Sequence, residues 1–279
     1  MKNELLEQVL EVAGAAGRAA MEHYGSDGPV EYKEDDSPLT LADKAAHFVI
    51  VNALQVLDPW LPVLSEESPE EEISERKSWS DFWVVDPLDG SKEFIKQSGE
   101  FTVNIARVRG GESVLGVVHA PVTGECYYAT REGGAFVRRA DGGTEEIFVR
   151  QADSSDLKIV ASKDHAGPRV EALLERLQGA ECVSMGSSLK FCLVAEGKAD
   201  FYPRMVPTME WDTAAAQCVL EAAGGYLVGL DGRRLSYNKD DLRNPSVLAY
   251  GDDSMDWIAL LGDEEGPGAE AEEETAGEE

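Results

Sequence analysis

Three acidic blocks in this chain have the residue types and spacing to hold divalent cations. The first is Leu64-Ser65-Glu66-Glu67-Ser68, at the end of a short apolar run. The second is Asp86-Pro87-Leu88-Asp89-Gly90-Ser91, directly after Phe82-Trp83-Val84-Val85. The third is Trp211-Asp212-Thr213-Ala214-Ala215, where a helical pattern starts. Magnesium takes six oxygen ligands and keeps several waters, so a few carboxylates and a substrate phosphate complete its shell. Pro87 fixes one backbone angle and Gly90 permits a sharp turn, so the Asp86 and Asp89 carboxylates and the Leu88 carbonyl can converge. Each block also has a plainer reading. Pro-x-Asp-Gly is a common turn, Asp212 has the place of a helix N-cap, and Glu66-Glu67 reads as a solvated charge pair.

Periodicity supplies the elements that must position these blocks. Residues 4–24 carry an apolar stripe at helical spacing, and Thr40 can cap a second helix over residues 41–57. Short strands are expected at 61–64 and 82–85. A meander follows at 101–108, 113–119, 125–130 and 135–138, with turns at Gly110-Gly111 and Gly133-Gly134. Helices first and an antiparallel sheet afterwards suit an α+β layered domain over residues 1–155. The pattern then alternates, with strands at 157–161, 181–185, 199–202 and 226–228 and helices at 168–177, 189–196 and 213–223. This predicts a smaller α/β domain over residues 156–262. Residues 263–279 hold nine acidic groups with Gly and Ala between them and no Lys or Arg, which reads as a disordered acidic tail.

Charge limits the partners. Asp and Glu number 54 against 25 Lys and Arg, a net charge of −29. Such a field repels nucleic-acid polymers and anionic membranes, so a phosphorylated substrate needs a local positive site. Removing the nine acidic residues of the tail changes −29 to −20 over residues 1–262, so the excess belongs to the body as well. This points to a halophilic protein that works best in high salt. No apolar run approaches the roughly 20 residues of a membrane span. The charged start Met1-Lys2-Asn3-Glu4 lacks a signal-peptide core, so a cytoplasmic location is expected. Cys126, Cys182, Cys192 and Cys218 form no CxxC pair and His is scarce, so they read as buried, reduced thiols rather than zinc ligands.

The three blocks, taken together and in this order, resemble the signature of the inositol-monophosphatase superfamily. Longer stretches are similar to its bacterial bisphosphate-nucleotidase branch: Gly90-Ser91-Lys92-Glu93-Phe94-Ile95-Lys96, Gly99 to Ala106, Gly186-Ser187-Ser188-Leu189-Lys190-Phe191-Cys192, Ser37-Pro38-Leu39-Thr40 with Asp43, and Phe201-Tyr202-Pro203-Arg204. The resemblance covers about residues 1–250 and implies a sugar-phosphatase fold of alternating helix and sheet layers. It implies two or three magnesium ions held by Glu66, Asp86, Asp89, Asp212 and the Leu88 carbonyl. Two such ions can activate a water and stabilise the leaving oxygen of an in-line phosphoryl transfer. Glu66 would orient or deprotonate that water, with Asp43 near a further, weaker metal. Ser91 stands where relatives more often have Thr and keeps the hydroxyl that binds the water.

The same resemblance implies that Gly90, Ser91, Ser162, His165, Gly186, Lys190, Arg204 and Asp212 contact the substrate. Gly186 and Lys190 lie at an expected helix start, where free N–H groups favour anions, and Arg204 offers a guanidinium fork for phosphate. The implied reaction is hydrolysis of adenosine 3',5'-bisphosphate, or its sulfated form, to clear a by-product of sulfate assimilation. Lithium sensitivity is implied too, and some bacterial relatives associate with the cytoplasmic face of the inner membrane. The alternatives are an inositol-phosphate or sugar-bisphosphate phosphatase using the same metals, and a non-catalytic metal- or anion-binding module. Oligomeric state is not legible.

Overall fold

The computed structural model describes residues 4–26, 31–32, 38–161, 167–177 and 180–262. Helix α1 (Glu4–Met21) buries Val9, Leu10, Val12, Ala13, Ala16 and Ala20, the stripe expected from periodicity. Two short antiparallel strands, β1 (Glu31–Tyr32) and β2 (Pro38–Leu39), precede α2 (Leu41–Leu57). Thr40 caps α2: its hydroxyl accepts from the Ala42 N–H at 3.1 Å, and Asp43 reaches back to the Thr40 N–H at 2.7 Å.

Next come β3 (Val63–Ser65), α3 (Glu70–Ile73), β4 (Asp81–Asp89), α4 (Ser91–Ile95) and the strands β5 (Thr102–Arg109), β6 (Glu112–Ala120), β7 (Glu125–Thr130), β8 (Gly134–Arg138) and β9 (Thr144–Glu146). Among the described residues, β3 to β9 form a seven-stranded sheet in chain order. β3 runs parallel to β4, and the rest is an antiparallel meander. The chain continues through β10 (Lys158–Ala161), α5 (Gly167–Arg176), β11 (Glu181–Ser184), α6 (Leu189–Ala195), β12 (Phe201–Arg204), β13 (Thr208–Met209), α7 (Glu210–Ala222), β14 (Tyr226–Gly229), β15 (Arg243–Asn244), β16 (Val247–Tyr250) and α8 (Trp257–Leu261). A second sheet has the order β11-β10-β12-β16-β14.

Strand alternation assigns the layers. Trp83, Val85, Ile105 and Val117 pack with α1 and α2, while Phe82, Val84, Ala106 and Val118 face a core shared with α6 and α7. That core continues into Tyr202, Leu227, Val247 and Ala249 of the second sheet. On the far face Ile159, Phe201 and Leu248 pack with Leu173, Trp257 and Leu261 of α5 and α8. The order is helix, sheet, helix, sheet, helix: the alternating layers expected for the fold. No described helix is long and apolar enough to cross a membrane.

Four details depart from the sequence reading. β4 runs on through Asp89, so the expected turn at Asp86 is a bulged strand end. Pro87 is tolerated there because β3 ends at Ser65, opposite Val85, leaving no ladder bond for its missing N–H. α7 starts at Glu210, which places Asp212 in the first turn and not at the cap. The antiparallel strand β16 lies between β12 and β14, where simple alternation predicts a parallel neighbour. Cys126, Cys192 and Cys218 are buried as expected, but Cys182 is exposed because β11 is an edge strand paired only with β10. The acidic tail, Ser162 and His165 lie outside the described residues.

Candidate active site

The β4 bulge and the first turn of α7 bring three carboxylates together. One oxygen each of Asp86, Asp89 and Asp212 lies within 4.8 Å of the others. Between Asp86, which faces Asn104, and Asp89, which faces Thr102, β4 spends one residue more than β5. This extra residue turns both aspartates to one side. The Leu88 N–H donates to Asp86 Oδ1 at 3.0 Å, and Gly90, at φ 102°, turns the chain into α4. Asp212 Oδ2 accepts from the Met209 N–H at 2.8 Å, anchoring the carboxylate on its own helix.

Electrostatics shows what the cluster lacks. Burial pushes the Asp86 carboxyl well above the usual range, and the charges of Glu66, Asp89 and Asp212 add to it. Burial does the same to Asp212, with Asp89 next in size and Glu66 contributing. Carboxylates held this close in low dielectric need protons or a cation. An all-oxygen donor set of this kind suits a hard divalent ion such as magnesium. Glu66 is half-buried after β3, its N–H donating to the Val85 carbonyl at 3.1 Å, so the first block stands beside the second.

Asp43 and Ser91 form a second pair at the rim. Asp43 is 2 % exposed; its Oδ2 accepts from the Thr40 N–H and hydroxyl, and its Oδ1 accepts from Ser91 Oγ at 3.2 Å. Ser91 Oγ also lies 3.4 Å from the Leu88 carbonyl. An open cleft continues from the carboxylates past Gly90, Lys190, Tyr202 and Arg204. Lys190 is 6 % exposed, with Nζ 3.4 Å from the Met185 carbonyl and 5.6 Å from the centre of the Tyr202 ring. Burial pulls its pKa down to about 8, with Asp89 opposing the shift. Arg204, at the end of β12, buries an Nε with no hydrogen-bond partner among the described residues.

Gly186 is required by a close approach that its place before a helix does not advertise. A Cβ there would lie 2.6 Å from the Glu100 carbonyl oxygen and 2.8 Å from Glu93 Cγ, so glycine lets the two segments touch. At this helix start Ser188 donates its N–H to Asp89 Oδ2 at 2.6 Å. Ser188 Oγ reaches the same oxygen at 2.5 Å and the Asp212 carbonyl at 3.0 Å. Asn104 Nδ2 donates to Ser188 Oγ at 2.9 Å and lies 3.4 Å from Asp89 Oδ2. Ser188 and Asn104 were not singled out from the sequence. The available signal for Asn104 was one amide between the apolar residues Val103 and Ile105.

With this geometry in place, comparison with known proteins is informative. A model of the inositol monophosphatase family matches residues 1–259. The 3'(2'),5'-bisphosphate nucleotidase CysQ of Salmonella typhimurium is 47 % identical over 245 residues, which covers 86 % of this chain and 97 % of that protein. The Haemophilus influenzae protein of the same name is 36 % identical over 94 % of this chain and 98 % of its own length. Among solved structures, CysQ from Bacteroides thetaiotaomicron, described as a bacterial member of the inositol monophosphatase family, superposes with a TM-score of 0.77. It is 39 % identical and covers 90 % of this chain and 98 % of that one. The bulged β4, the three converging aspartates and these relatives agree: the chain belongs to the inositol monophosphatase family.

Proposed function

We propose that the chain is a magnesium-dependent 3'(2'),5'-bisphosphate nucleotidase, removing the 3'-phosphate of adenosine 3',5'-bisphosphate to give AMP and phosphate in support of sulfate assimilation. The observation that carries this is the Asp86–Asp89–Asp212 cluster opening onto a cleft that holds Lys190 and Arg204. Asp86, Asp89, Asp212, Glu66 and the Leu88 carbonyl would hold two or three ions. When bound, magnesium supplies charge neutralisation for the transferring phosphoryl group and a more acidic water. The chain's own groups do the rest. Ser91 donates to Asp43, so its lone pairs face outward to accept from a water and set that water's orientation. Glu66, whose charge is felt by Asp86 and Asp212, would take the water's proton. Lys190 and Arg204 bind the second phosphate, the group an inositol monophosphate lacks. A two-domain division near residue 155, with the carboxylates mainly on the first part and the cations on the second, belongs to the same proposal.

Comparing turnover of adenosine 3',5'-bisphosphate, inositol 1-phosphate and fructose 1,6-bisphosphate at fixed magnesium tests this reading. The nucleotide should be preferred. Preference for either sugar phosphate would move the chain to another branch of its family, and tight nucleotide binding with no phosphate release would make it a binding module.

Lys190→Ala should raise KM for the nucleotide roughly 10–100-fold, the equivalent of one lost charged hydrogen bond at about 1.5–3 kcal/mol. The drop in kcat should be smaller, because the contact is made in the ground state too. Steady-state kinetics at saturating magnesium decide the point; an unchanged KM would put Lys190 outside the substrate site.

Lithium is close to magnesium in size and carries half its charge, so it should occupy a weak cation position without supporting chemistry. Rates at limiting magnesium should fall as lithium replaces sodium at constant ionic strength. Stability should also rise with salt. Of the 54 acidic groups, the 45 outside the tail repel one another across the body, and at 1 M ionic strength the screening length falls to about 3 Å. The melting temperature should therefore climb between about 0.05 and about 3 M potassium chloride, with or without residues 263–279. A flat curve in both forms would remove the halophilic reading.

A further inference from the structure

Asp212 and the Asp86–Asp89 pair lie on segments far apart in the chain, and their charges push them apart. Something must therefore hold the first turn of α7 against β4. Ser188 Oγ, between Asp89 Oδ2 and the Asp212 carbonyl, is one link, and the hydrogen bonds around Asn238 are another. Glu210, the first residue of α7, is 0 % exposed. Its carboxylate accepts from the backbone N–H of Asn238 at 2.6 Å and of Lys239 at 2.9 Å, and from Lys239 Nζ at 2.7 Å. The Asn238 side chain faces the other way, toward the segment that leads into β4. Its Nδ2 donates to the carbonyls of Arg76 at 2.7 Å and Trp79 at 3.1 Å, and its Oδ1 accepts from Arg76 Nη1 at 3.1 Å. The Arg76 fork completes the joint by donating to the carbonyls of Lys239 at 2.6 Å and Asp240 at 2.7 Å.

Asn238 sits at φ 65°, the left-handed region that asparagine tolerates better than most residues. Every polar atom it has is engaged, since its carbonyl accepts from Lys77 Nζ at 2.8 Å. Trp79 lies two residues before β4, and Glu210 two residues before Asp212. The joint therefore ties the first turn of α7 to the segment that enters β4, the strand whose far end carries Asp86 and Asp89.

We propose that Asn238 is a positioning residue, which with Glu210 and Arg76 fixes α7 against the start of β4 and so holds Asp212 at cation-binding distance from Asp86 and Asp89. This rests on the reading of the cluster as a metal site. The decisive variant is Asn238→Gly, because glycine accepts φ 65° and keeps the backbone path, and with it the Arg76 bonds to the Lys239 and Asp240 carbonyls, while the three side-chain bonds of Asn238 to Arg76 and Trp79 are lost. Magnesium binding should be measured by calorimetry on the full chain without substrate, beside thermal unfolding in chelator.

Asn238→Gly should bind magnesium about 10–100-fold more weakly, the usual cost of losing a group that supports metal ligands. At saturating magnesium its KM for the nucleotide should stay within about twofold of wild type. Arg76→Lys, which keeps the charge but loses the fork, should weaken metal binding in the same direction by less. If Asn238→Gly does not fold, Arg76→Lys decides alone. Folded variants with wild-type magnesium affinity overturn the role of Asn238 and leave the metal site standing. A wild-type chain that binds no magnesium overturns the metal site itself, and this inference with it.

Discussion

Asp89→Asn should lower phosphate release by more than about 100-fold, since even the loss of a group that only supports a metal ligand costs 10–100-fold. The fold should survive the change. Asp89 Oδ2 accepts from Ser188 N–H and lies 2.5 Å from Ser188 Oγ, and the amide oxygen of Asn can keep both contacts. The amide nitrogen then takes the place of the other carboxylate oxygen, which turns two donor hydrogens toward a cation. Removing one negative charge also relieves Asp86 and Asp212, both of which feel Asp89. In chelator, the melting temperature should therefore equal or exceed that of wild type, while the rise on adding magnesium disappears. A folded Asp89→Asn enzyme with near-normal turnover would take this residue out of the site.

Gly186→Ala should lower kcat/KM by about 10–100-fold without touching a charged group. The added methyl would meet the Glu100 carbonyl oxygen at 2.6 Å and Glu100 Cβ at 2.9 Å. A backbone carbonyl cannot swing aside as a side-chain tip can, so the segment from Met185 to Lys190 must retreat. Retreat pulls Ser188 off Asp89 and carries Lys190 away from the cleft. Overpacking of this kind costs about 1–3 kcal/mol of stability as well, worth roughly 2–4 °C in melting temperature per kcal/mol for a chain of this size. Kinetics and thermal unfolding on one preparation would show both effects. Wild-type kcat/KM in Gly186→Ala would mean that the contact with Glu100 is loose and does not position Ser188.

The two substitutions mark where the sequence could be read and where it could not. Asp86, Leu88 and Asp89 were legible because proline, glycine and two carboxylates within a few residues constrain the backbone locally. Asp212 was legible as a position but not as a geometry, since whether it caps α7 or sits in the first turn depends on where the helix begins. Ser188 and Asn104 were not legible, because their meaning lies in a partnership across 84 positions that neither neighbourhood advertises. The approach of Glu100 to Gly186 was not legible either, because a contact between residues 86 positions apart leaves no mark beside the glycine. Most helices and strands were readable from periodicity, while their stacking in alternating layers came from the family resemblance. The strand β16 was not read at all, because Val247 to Tyr250 is an apolar run too short for its period to tell strand from helix.

The place of β16 also governs the order in which the molecule can be assembled. Among the described residues it is the last strand in chain order, yet it is inserted between two strands made earlier. The seven-stranded sheet can form from a nascent chain that has passed Glu146, but the second sheet stays split until Tyr250 has emerged. Until then β12 and β14 present open edges, the kind that recruit strands from neighbouring chains. Lys190 and Arg204 flank that gap, so the cation-bearing side of the cleft matures after the carboxylate-bearing β4. A message truncated just before Val247 would thus yield a chain that keeps every one of the four acidic residues of the site and still aggregates.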